Sequence, residues 1–262
     1  MPECDTLART AGVLGKLLVG RQVEAARARP GGAQLERVIG RQVESVEARG
    51  KHLLISFSEG LTLHTHLGLH GSWQRYRPSE AWRRAASRAA AVLEVPDAVC
   101  VCFDAPIVEL LETRALMLHP GLAGLGPDIA RGDFDAGAAL ARLRRPGHAD
   151  QPIGEALLDQ RAVAGLGNVY RSELCFVECT SPFTPVGQLD DERLLRLLRH
   201  GARLVAASAR SGRRVTTAPG VAGPLYVYGR AGRPCRRCGA PISSVTAGEQ
   251  PRRVYWCPGC QL

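Results

Sequence analysis

Two pairs of cysteines near the carboxyl end restrict how that part of the chain can fold. Cys235 and Cys238 are two residues apart, as are Cys257 and Cys260, and eighteen residues separate the pairs. This spacing is typical of a zinc ribbon, in which four thiolates surround one Zn²⁺ tetrahedrally. All four ligands come from the protein, so we predict a structural site, with two reduced dithiols as the alternative.

The positive charge of the chain is concentrated in the same region. The net charge is +9, and residues 210–262 hold nine arginines and a single acid, Glu249. Such clustering favours a polyanionic partner. Arg252 and Arg253 lie between the cysteine pairs, on a hairpin that we expect to approach a phosphate. Lys16 and Lys51 are the only lysines in the chain.

The rest of the chain changes from a strand pattern to a helical one. Asp5 or Thr6 is expected to cap a first helix. Six short apolar or alternating runs then predict an antiparallel β-sandwich or barrel up to about residue 115. The residues 121–127 are interpreted as a linker, and helices are expected beyond them. The predicted strands cover 42–46, 52–57, 61–66, 91–95, 99–103 and 107–111, and the predicted helices 154–160, 169–177 and 190–208.

The composition excludes several classes of protein. No apolar stretch is long enough to span a bilayer, and the first twenty residues do not resemble a secretory signal. The odd count of nine cysteines argues against a disulfide framework. We therefore expect a cytoplasmic protein, and nothing suggests an obligate oligomer.

Two further segments could carry chemistry. Gly165 and Gly167 permit a tight turn before a helix that starts near Asn168, and free amides at a helix start can bind phosphate. The alternative is that Asn168 only caps the helix and binds no ligand. At the amino end, removal of Met1 would expose the secondary amine of Pro2, which is nucleophilic near neutral pH. Glu3 beside it could act as a general acid or base.

Six segments in register resemble one family, the formamidopyrimidine-DNA glycosylase/endonuclease VIII family of DNA glycosylase–lyases. The resemblance covers the whole chain. It is carried by Pro-Glu at 2–3, Arg-Gly-Lys-His at 49–52, His-Leu-Gly-Leu-His-Gly-Ser at 66–72, the Leu-Asp-Gln…Gly-Leu-Gly-Asn block at 158–168, Tyr-Val-Tyr-Gly-Arg-Ala-Gly at 226–232 and Tyr-Trp-Cys-Pro-Gly-Cys-Gln at 255–261.

The resemblance implies an α+β multidomain fold. An N-terminal β-sandwich with a flanking helix would occupy residues 1–120, a helix–two-turns–helix DNA-binding domain 121–224, and a zinc-ribbon hairpin 225–262. It implies base-excision repair of damaged double-stranded DNA by a bacterial, cytoplasmic monomer. The endonuclease VIII branch, which favours oxidised pyrimidines, is preferred because the chain lacks Leu-Pro-Glu after Pro-Glu and is short at 212–225.

The resemblance also assigns roles. Pro2 would attack C1′ of the damaged nucleotide and form a Schiff base, Glu3 would move protons at the sugar, and Lys51 would contact the DNA phosphate and support ring opening. Asn168 and Arg252 would grip the kinked backbone. Leu69 would be the apolar wedge that fills the gap left by the everted base.

The chain departs from the family pattern at two positions. Cys4 replaces a usual glycine, and Gln151 stands where relatives often carry a basic residue. A glycine can adopt conformations that a Cβ forbids, so Cys4 could impair catalysis or be harmless. The alternatives to an active enzyme are a non-catalytic damaged-DNA-binding homologue and, last, a zinc-ribbon protein of translation or transcription.

The remaining cysteines and histidines are interpreted as structural residues in most cases. Buried free thiols are expected for Cys175 and Cys179, and packing for Cys100 and Cys102. Structural or DNA-proximal roles are favoured over a second zinc site for the three histidines at 64, 66 and 70.

Overall fold

The computed structural model describes residues 2–248 and 251–261. The chain divides into two compact units, Met1–Ala123 and Gly124–Leu262, which are described separately below. The finer division into three domains stays a prediction. Met1, whose removal the sequence predicts, lies outside the described residues.

The first unit begins with helix α1 (Cys4–Leu18), which buries Leu7, Leu14 and Leu18. The prediction that Asp5 or Thr6 caps this helix is wrong, because the cap residue is Glu3. The amides of Thr6 and Leu7 donate to the Glu3 carbonyl at 2.9 and 3.1 Å, which places Asp5 inside the first turn. An acid there is stabilised by the positive end of the helix dipole.

Two antiparallel four-stranded sheets follow, so the predicted sandwich is confirmed and the barrel alternative is wrong. The strand orders are β1-β6-β7-β5 and β2-β3-β4-β8. The strands are β1 (Ala25–Ala28), β2 (Val43–Arg49), β3 (His52–Phe57), β4 (Leu61–His66), β5 (Ser72–Tyr76), β6 (Ala89–Val95), β7 (Ala98–Phe103) and β8 (Ile107–Glu112).

One face of each sheet packs into a shared core with α1, because side chains alternate along a strand. From β3 the inward residues are Leu53, Ile55 and Phe57. Cys100 and Cys102 of β7 point into the same core, so the packing predicted for them is confirmed. The opposite face of β3 and β4 carries histidines, which matter for the sites described below.

The second unit has four helices and one hairpin within its described residues. The amide of Arg193 donates to the side chain of Asp190 at 2.7 Å, which caps the longest helix, and Gly212 ends that helix with a φ of 70°. The elements are α2 (Ala136–Leu143), α3 (Ile153–Ala156), α4 (Asn168–Val177), α5 (Asp191–Ser211), β9 (Ser243–Ala247) and β10 (Arg252–Trp256). No helix among the described residues is both long enough and apolar enough to cross a membrane.

Candidate functional site

The amino-terminal pair precedes a helix. Pro2 is partly exposed, whereas Glu3 is 1% exposed and serves as the cap residue of α1 through its backbone. The Glu3 carboxylate makes no capping bond to the helix. The positive end of the α1 dipole opposes a positive charge placed at its start, so it favours the neutral, nucleophilic form of an imino group there.

Cys4 fits the fold without the freedom of glycine. It is the first residue of α1, and it is not among the residues with a positive φ. Its side chain is fully buried. A Cβ is therefore compatible with the backbone at this position, which removes the conformational reason for an impaired enzyme.

Lys51 lies in the turn that joins β2 to β3. It is partly buried, and its charge acts on the rings of His52 and His66, so the ammonium group lies at that end of the sheet. His52 and His66 face each other in register across β3 and β4. Burial is the main cause that lowers the pKa of His52 to about 3, and electrostatic interaction with the neighbouring histidine rings and with Lys51 adds to it, so the ring of His52 is neutral at physiological pH.

Leu69 stands on a rigid turn and is 62% exposed. Leu67 is buried beneath the turn, and the amide of Gly71 donates to its carbonyl at 2.8 Å. A Cβ at Gly71 would lie 2.3 Å from that carbonyl oxygen, so only glycine permits the close approach. Gly68 adopts a φ of 57°, which glycine also favours. The turn therefore projects an apolar side chain into solvent at a fixed position.

In the second unit, Asn168 is the first residue of α4 and links that helix to the hairpin. Its amide nitrogen donates to the carbonyl of Arg253 at 3.0 Å, and its amide oxygen accepts a short hydrogen bond from Arg171. Arg171 is 1% exposed and also reaches the Arg253 carbonyl at 3.4 Å. Arg252 begins β10, next to this junction. The two predicted phosphate-binding residues are therefore brought together.

The turn before α4 is shaped by a residue to which the sequence assigned no role. The side-chain amide of Gln160 donates to the carbonyls of Leu158 and Leu166 at 2.8 and 3.1 Å, and its oxygen accepts from the amide of Gly165 at 3.0 Å. Gly165 has a φ of 100°, a value that side chains rarely tolerate. The glycines of this block thus build the turn that presents Asn168.

A buried carboxylate on α4 holds the segment that leads into the cysteine pairs. Glu173 is fully buried. One of its oxygens accepts from the amides of Val227 and Tyr228 at 2.9 and 2.8 Å. The other accepts from the amide of Tyr226 at 2.8 Å and, over a short distance, from the hydroxyl of Thr216. Sequence reasoning missed this role, although a charge among the apolar residues of a predicted helix was the available signal.

The four predicted metal ligands form one cluster. Their sulfurs all lie within 4.8 Å of one another, with Cys235–Cys260 at 3.8 Å and Cys238–Cys257 at 3.4 Å. Tetrahedral Zn²⁺ bound at about 2.3 Å would separate its sulfurs by about 3.8 Å, so the cluster fits that ion. The hairpin of β9 and β10 lies between the two pairs, as predicted.

Two of the minor predictions have different outcomes. Cys175 is fully buried, and burial raises the pKa of its thiol to about 12, so it is the inert thiol that we expected. The prediction of a buried thiol is wrong for Cys179, which is exposed and lies 2.9 Å from the guanidinium of Arg237. The reason is that the chain leaves α4 before Cys179, which adopts a φ of 49°.

Two histidines on the outer face of β3 and β4 belong to a hydrogen-bonded chain. His52 Nδ1 lies 2.8 Å from His64 Nε2, and His64 Nδ1 lies 2.8 Å from Glu109 Oε2. His119 Nε2 contacts the same oxygen at 3.1 Å. His70 is exposed and stands on the Leu69 turn instead.

Comparison with known proteins identifies the family. The formamidopyrimidine-DNA glycosylase N-terminal domain matches residues 1–106, and the formamidopyrimidine-DNA glycosylase H2TH domain matches residues 125–218. A "Probable endonuclease 8 2" of Streptomyces coelicolor is 40% identical over all of this chain and 94% of its own length. The chain belongs to the formamidopyrimidine-DNA glycosylase/endonuclease VIII family.

Other relatives agree with this assignment. The "DNA-(apurinic or apyrimidinic site) lyase Nei2" of Mycolicibacterium smegmatis is 37% identical over 100% of this chain and 99% of the relative. The structure of Lactococcus lactis Fpg with DNA containing an abasic site superposes with a TM-score of 0.84 over the whole of both chains. At 24% identity this structural likeness supports the fold, and the predicted α+β class with its N-terminal β-sandwich is confirmed.

Proposed function

We propose that this protein is a bifunctional DNA glycosylase and abasic-site lyase that removes oxidised bases, with pyrimidines favoured. Its partner is damaged double-stranded DNA, on which it acts as a monomer. We also propose the bacterial cytoplasm as its location, because its substrate is chromosomal DNA. The proposal is supported by full-length similarity to relatives named endonuclease 8 and abasic-site lyase.

The proposed reaction uses Pro2 after removal of the residue before it. The lone pair of its nitrogen attacks C1′, and the damaged base leaves with the electrons of the glycosidic bond and takes up a proton. The nitrogen then loses its proton, and its lone pair breaks the C1′–O4′ bond, so that O4′ is protonated and the opened sugar is held as an iminium. Glu3 carries protons to and from the sugar. Loss of a proton from C2′ then expels the 3′ phosphate by β-elimination, and a second elimination expels the 5′ phosphate. Lys51 is proposed to hold the DNA phosphate beside this sugar.

The observation that carries this proposal is the placement of Pro2 and Glu3. Pro2 lies partly exposed at the positive end of a fifteen-residue helix. The buried carboxylate of Glu3 makes no hydrogen bond that caps the helix. A neutral imino group beside a carboxylate is the pair that amine attack and proton transfer require.

Recognition of DNA is proposed to rest on residues of both units. Leu69 would enter the gap left by the everted base, since it is apolar, exposed and rigidly held. Asn168 and Arg252 would bind backbone phosphates on the second unit. We propose that one Zn²⁺ held by the four cysteines at 235, 238, 257 and 260 fixes the hairpin that carries Arg252.

The alternative function is a non-catalytic homologue that binds damaged DNA and is impaired by Cys4. The helical backbone at Cys4 removes the conformational argument for this alternative. What Cys4 could still change is the space beside the nucleophile. The substitution Cys4→Gly tests this effect, because it restores the usual residue without touching Pro2 or Glu3.

Borohydride trapping on a duplex with one abasic site distinguishes the two functions. An active amine forms a Schiff base that borohydride reduces to a stable protein–DNA adduct. We expect the wild type and Cys4→Gly to be trapped and Pro2→Leu not to be. A large second residue keeps Met1 attached and converts the nitrogen to an amide, which cannot attack. Retained binding of Pro2→Leu to the same duplex excludes misfolding.

A wild type that binds the duplex but yields no adduct would refute the enzymatic proposal and favour the alternative. Duplexes with thymine glycol, dihydrouracil or 8-oxoguanine then define the lesion preference. Faster release of the two pyrimidine lesions is expected. Faster release of 8-oxoguanine would contradict the assignment to the endonuclease VIII branch.

A further inference from the structure

The outer face of the sheet β2-β3-β4-β8 carries a polar cluster that the proposed reaction does not use. Inward residues of β3, β4 and β8 such as Leu53, Leu63 and Leu110 pack on the core, which leaves His64 and Glu109 on the opposite face. These two residues are register partners across β4 and β8. The chain after β8 returns over this face and adds His119.

Three side chains of this cluster converge on a small volume. His64 Nδ1 and His119 Nε2 lie 2.8 and 3.1 Å from Glu109 Oε2, and the donor atoms of the three residues are all within 4.8 Å of one another. Among residues 2–248 and 251–261, this group and the four cysteines are the two clusters with such geometry. The His64 side chain is fully buried, that of His119 is 18% exposed and that of Glu109 is 43% exposed. Solvent therefore reaches the group from one side.

The protonation states suit a cation. Burial, the largest effect, together with the charge of His119 outweighs attraction by Glu109 and lowers the pKa of His64, so its ring is neutral at physiological pH. Burial alone would raise the pKa of Glu109, but hydrogen bonds from His64 and His119 prevail and lower it. A neutral imidazole and an ionised carboxylate are the forms that bind metals.

We propose that His64, Glu109 and His119 form a second metal site that binds Zn²⁺ or a similar divalent transition metal ion. Two imidazoles and one carboxylate are a ligand set that Zn²⁺ accepts, and three protein ligands leave a coordination position open. The site thus differs from the closed cluster of four cysteines. None of its three ligands has a role in the proposed DNA chemistry.

The neighbours of the three ligands complete the arrangement. His52 contacts the ring nitrogen of His64 that faces away from Glu109, as outer-shell partners of metal-bound histidines do. On metal binding, His64 Nδ1 gives up its proton, Nε2 carries one and donates it to His52, and the proton of His52 moves to Nε2. In His119 the proton likewise moves from Nε2, which binds the metal, to Nδ1. Nδ1 then no longer accepts the hydrogen bond from the amide of Gly121, which is 3.2 Å away. These shifts are changes of tautomer, so the total number of protons on the rings is conserved.

Metal stoichiometry tests the proposal without DNA or activity. Purified full-length protein is dialysed against buffered Zn²⁺, and bound metal is measured by mass spectrometry. We expect about two equivalents in the wild type and about one in His119→Gln and in Glu109→Gln, since each variant removes one of three ligands. The matched control is His200→Gln, which breaks another histidine–glutamate pair at 2.8 Å, for which the described part of the chain offers no third ligand. This control should retain about two equivalents.

Cobalt substitution keeps the test decisive if a variant folds poorly. Co²⁺ on four thiolates gives intense sulfur-to-metal absorption, whereas nitrogen and oxygen ligands give only weak visible bands. Both variants should retain the thiolate absorption and lose the weak bands. One equivalent of metal in the wild type, with no weak bands, would overturn the proposal and leave the cluster as a hydrogen-bonded network. Either result is independent of borohydride trapping, so the proposed function stands or falls separately.

Discussion

Removal of the Glu173 carboxylate is expected to be among the most damaging single changes in the second unit. The carboxylate accepts hydrogen bonds from three consecutive backbone amides, at residues 226–228, and from the hydroxyl of Thr216. In Glu173→Ala the hydroxyl can rotate towards another acceptor, but the three amides cannot. An unsatisfied buried donor costs about 1–3 kcal/mol, so three of them would cost about 3–9 kcal/mol. Relaxation and entry of water should bring the loss to about 3–5 kcal/mol.

The variant Glu173→Gln removes only one of the two acceptor oxygens and should therefore lose less stability than Glu173→Ala. In one orientation of the glutamine, its oxygen still accepts from the amides of Val227 and Tyr228, and the new NH₂ group faces the amide of Tyr226. In the flipped orientation the oxygen accepts from Tyr226, and the NH₂ group faces the other two amides. The Thr216 hydroxyl can reverse and accept from the NH₂ group. The first orientation leaves one amide unsatisfied instead of two and should be preferred, so the loss should be about 1–3 kcal/mol. Whole domains are stable by only about 5–15 kcal/mol, so the two variants should be well resolved.

Hydrogen exchange read by mass spectrometry is the appropriate assay, because it reports the amides of residues 226–228 directly. Protection of this peptide should fall most in Glu173→Ala, less in Glu173→Gln and not at all in Glu192→Ala. Glu192 is the matched control, since it lies on α5 with its side chain 84% exposed in a surface ion pair. Unchanged protection in Glu173→Ala would refute the reasoning, because the amides would then have another acceptor.

Three other perturbations test further parts of the structure. Arg252→Ala should lower the salt dependence of DNA binding by about one unit of log–log slope, and an unchanged slope would exclude a phosphate contact. Removal of zinc with a chelator should abolish hydrogen-exchange protection of the β9–β10 hairpin and weaken DNA binding, whereas a protected hairpin would contradict the metal's role. Hydrogen bonds from Arg88 hold the pKa of Asp104 below its usual range. The stability that its carboxylate adds should be present at neutral pH and vanish as the pH falls through its folded pKa, so Asp104→Asn and wild type should converge in acid urea melts.

Hydrophobic periodicity and residue spacing correctly predicted those strands and metal-ligand pairs that are determined by residues close together in the sequence. The strands 52–57 and 61–66 have the predicted bounds, and the cysteine pairs cluster as their spacing requires. The predicted helix at 154–160 was wrong in length, because α3 ends at Ala156 and the turns that follow are built by Gln160. Strand β1 was missed because its residues are alanine and arginine, which have little strand preference.

The parts that could not be predicted depend on partners far apart in the sequence. Glu173 meets its three amide donors more than fifty residues later, and His64 meets Glu109 across 45 residues. No pattern within one element records such pairs. For the same reason the sequence did not show that His64 is paired with Glu109, whereas His70 stands on an exposed turn. Strand register, which sets His64 opposite Glu109 and His66 opposite Ile107, decides which histidine faces a carboxylate.

The locked turn at residues 66–71 has a consequence for how the free protein would search DNA. A leucine on such a turn loses little further backbone freedom on insertion, because the turn has fixed its backbone beforehand, and only the rotamer freedom of its side chain is lost. Full burial of such a side chain yields about 1.5–3 kcal/mol, which is of the same order as the few kcal/mol needed to evert a base. Insertion of the leucine at a base pair would then have a free-energy change close to zero. An intact base pair can therefore close again quickly, and only a weakened base pair stays open.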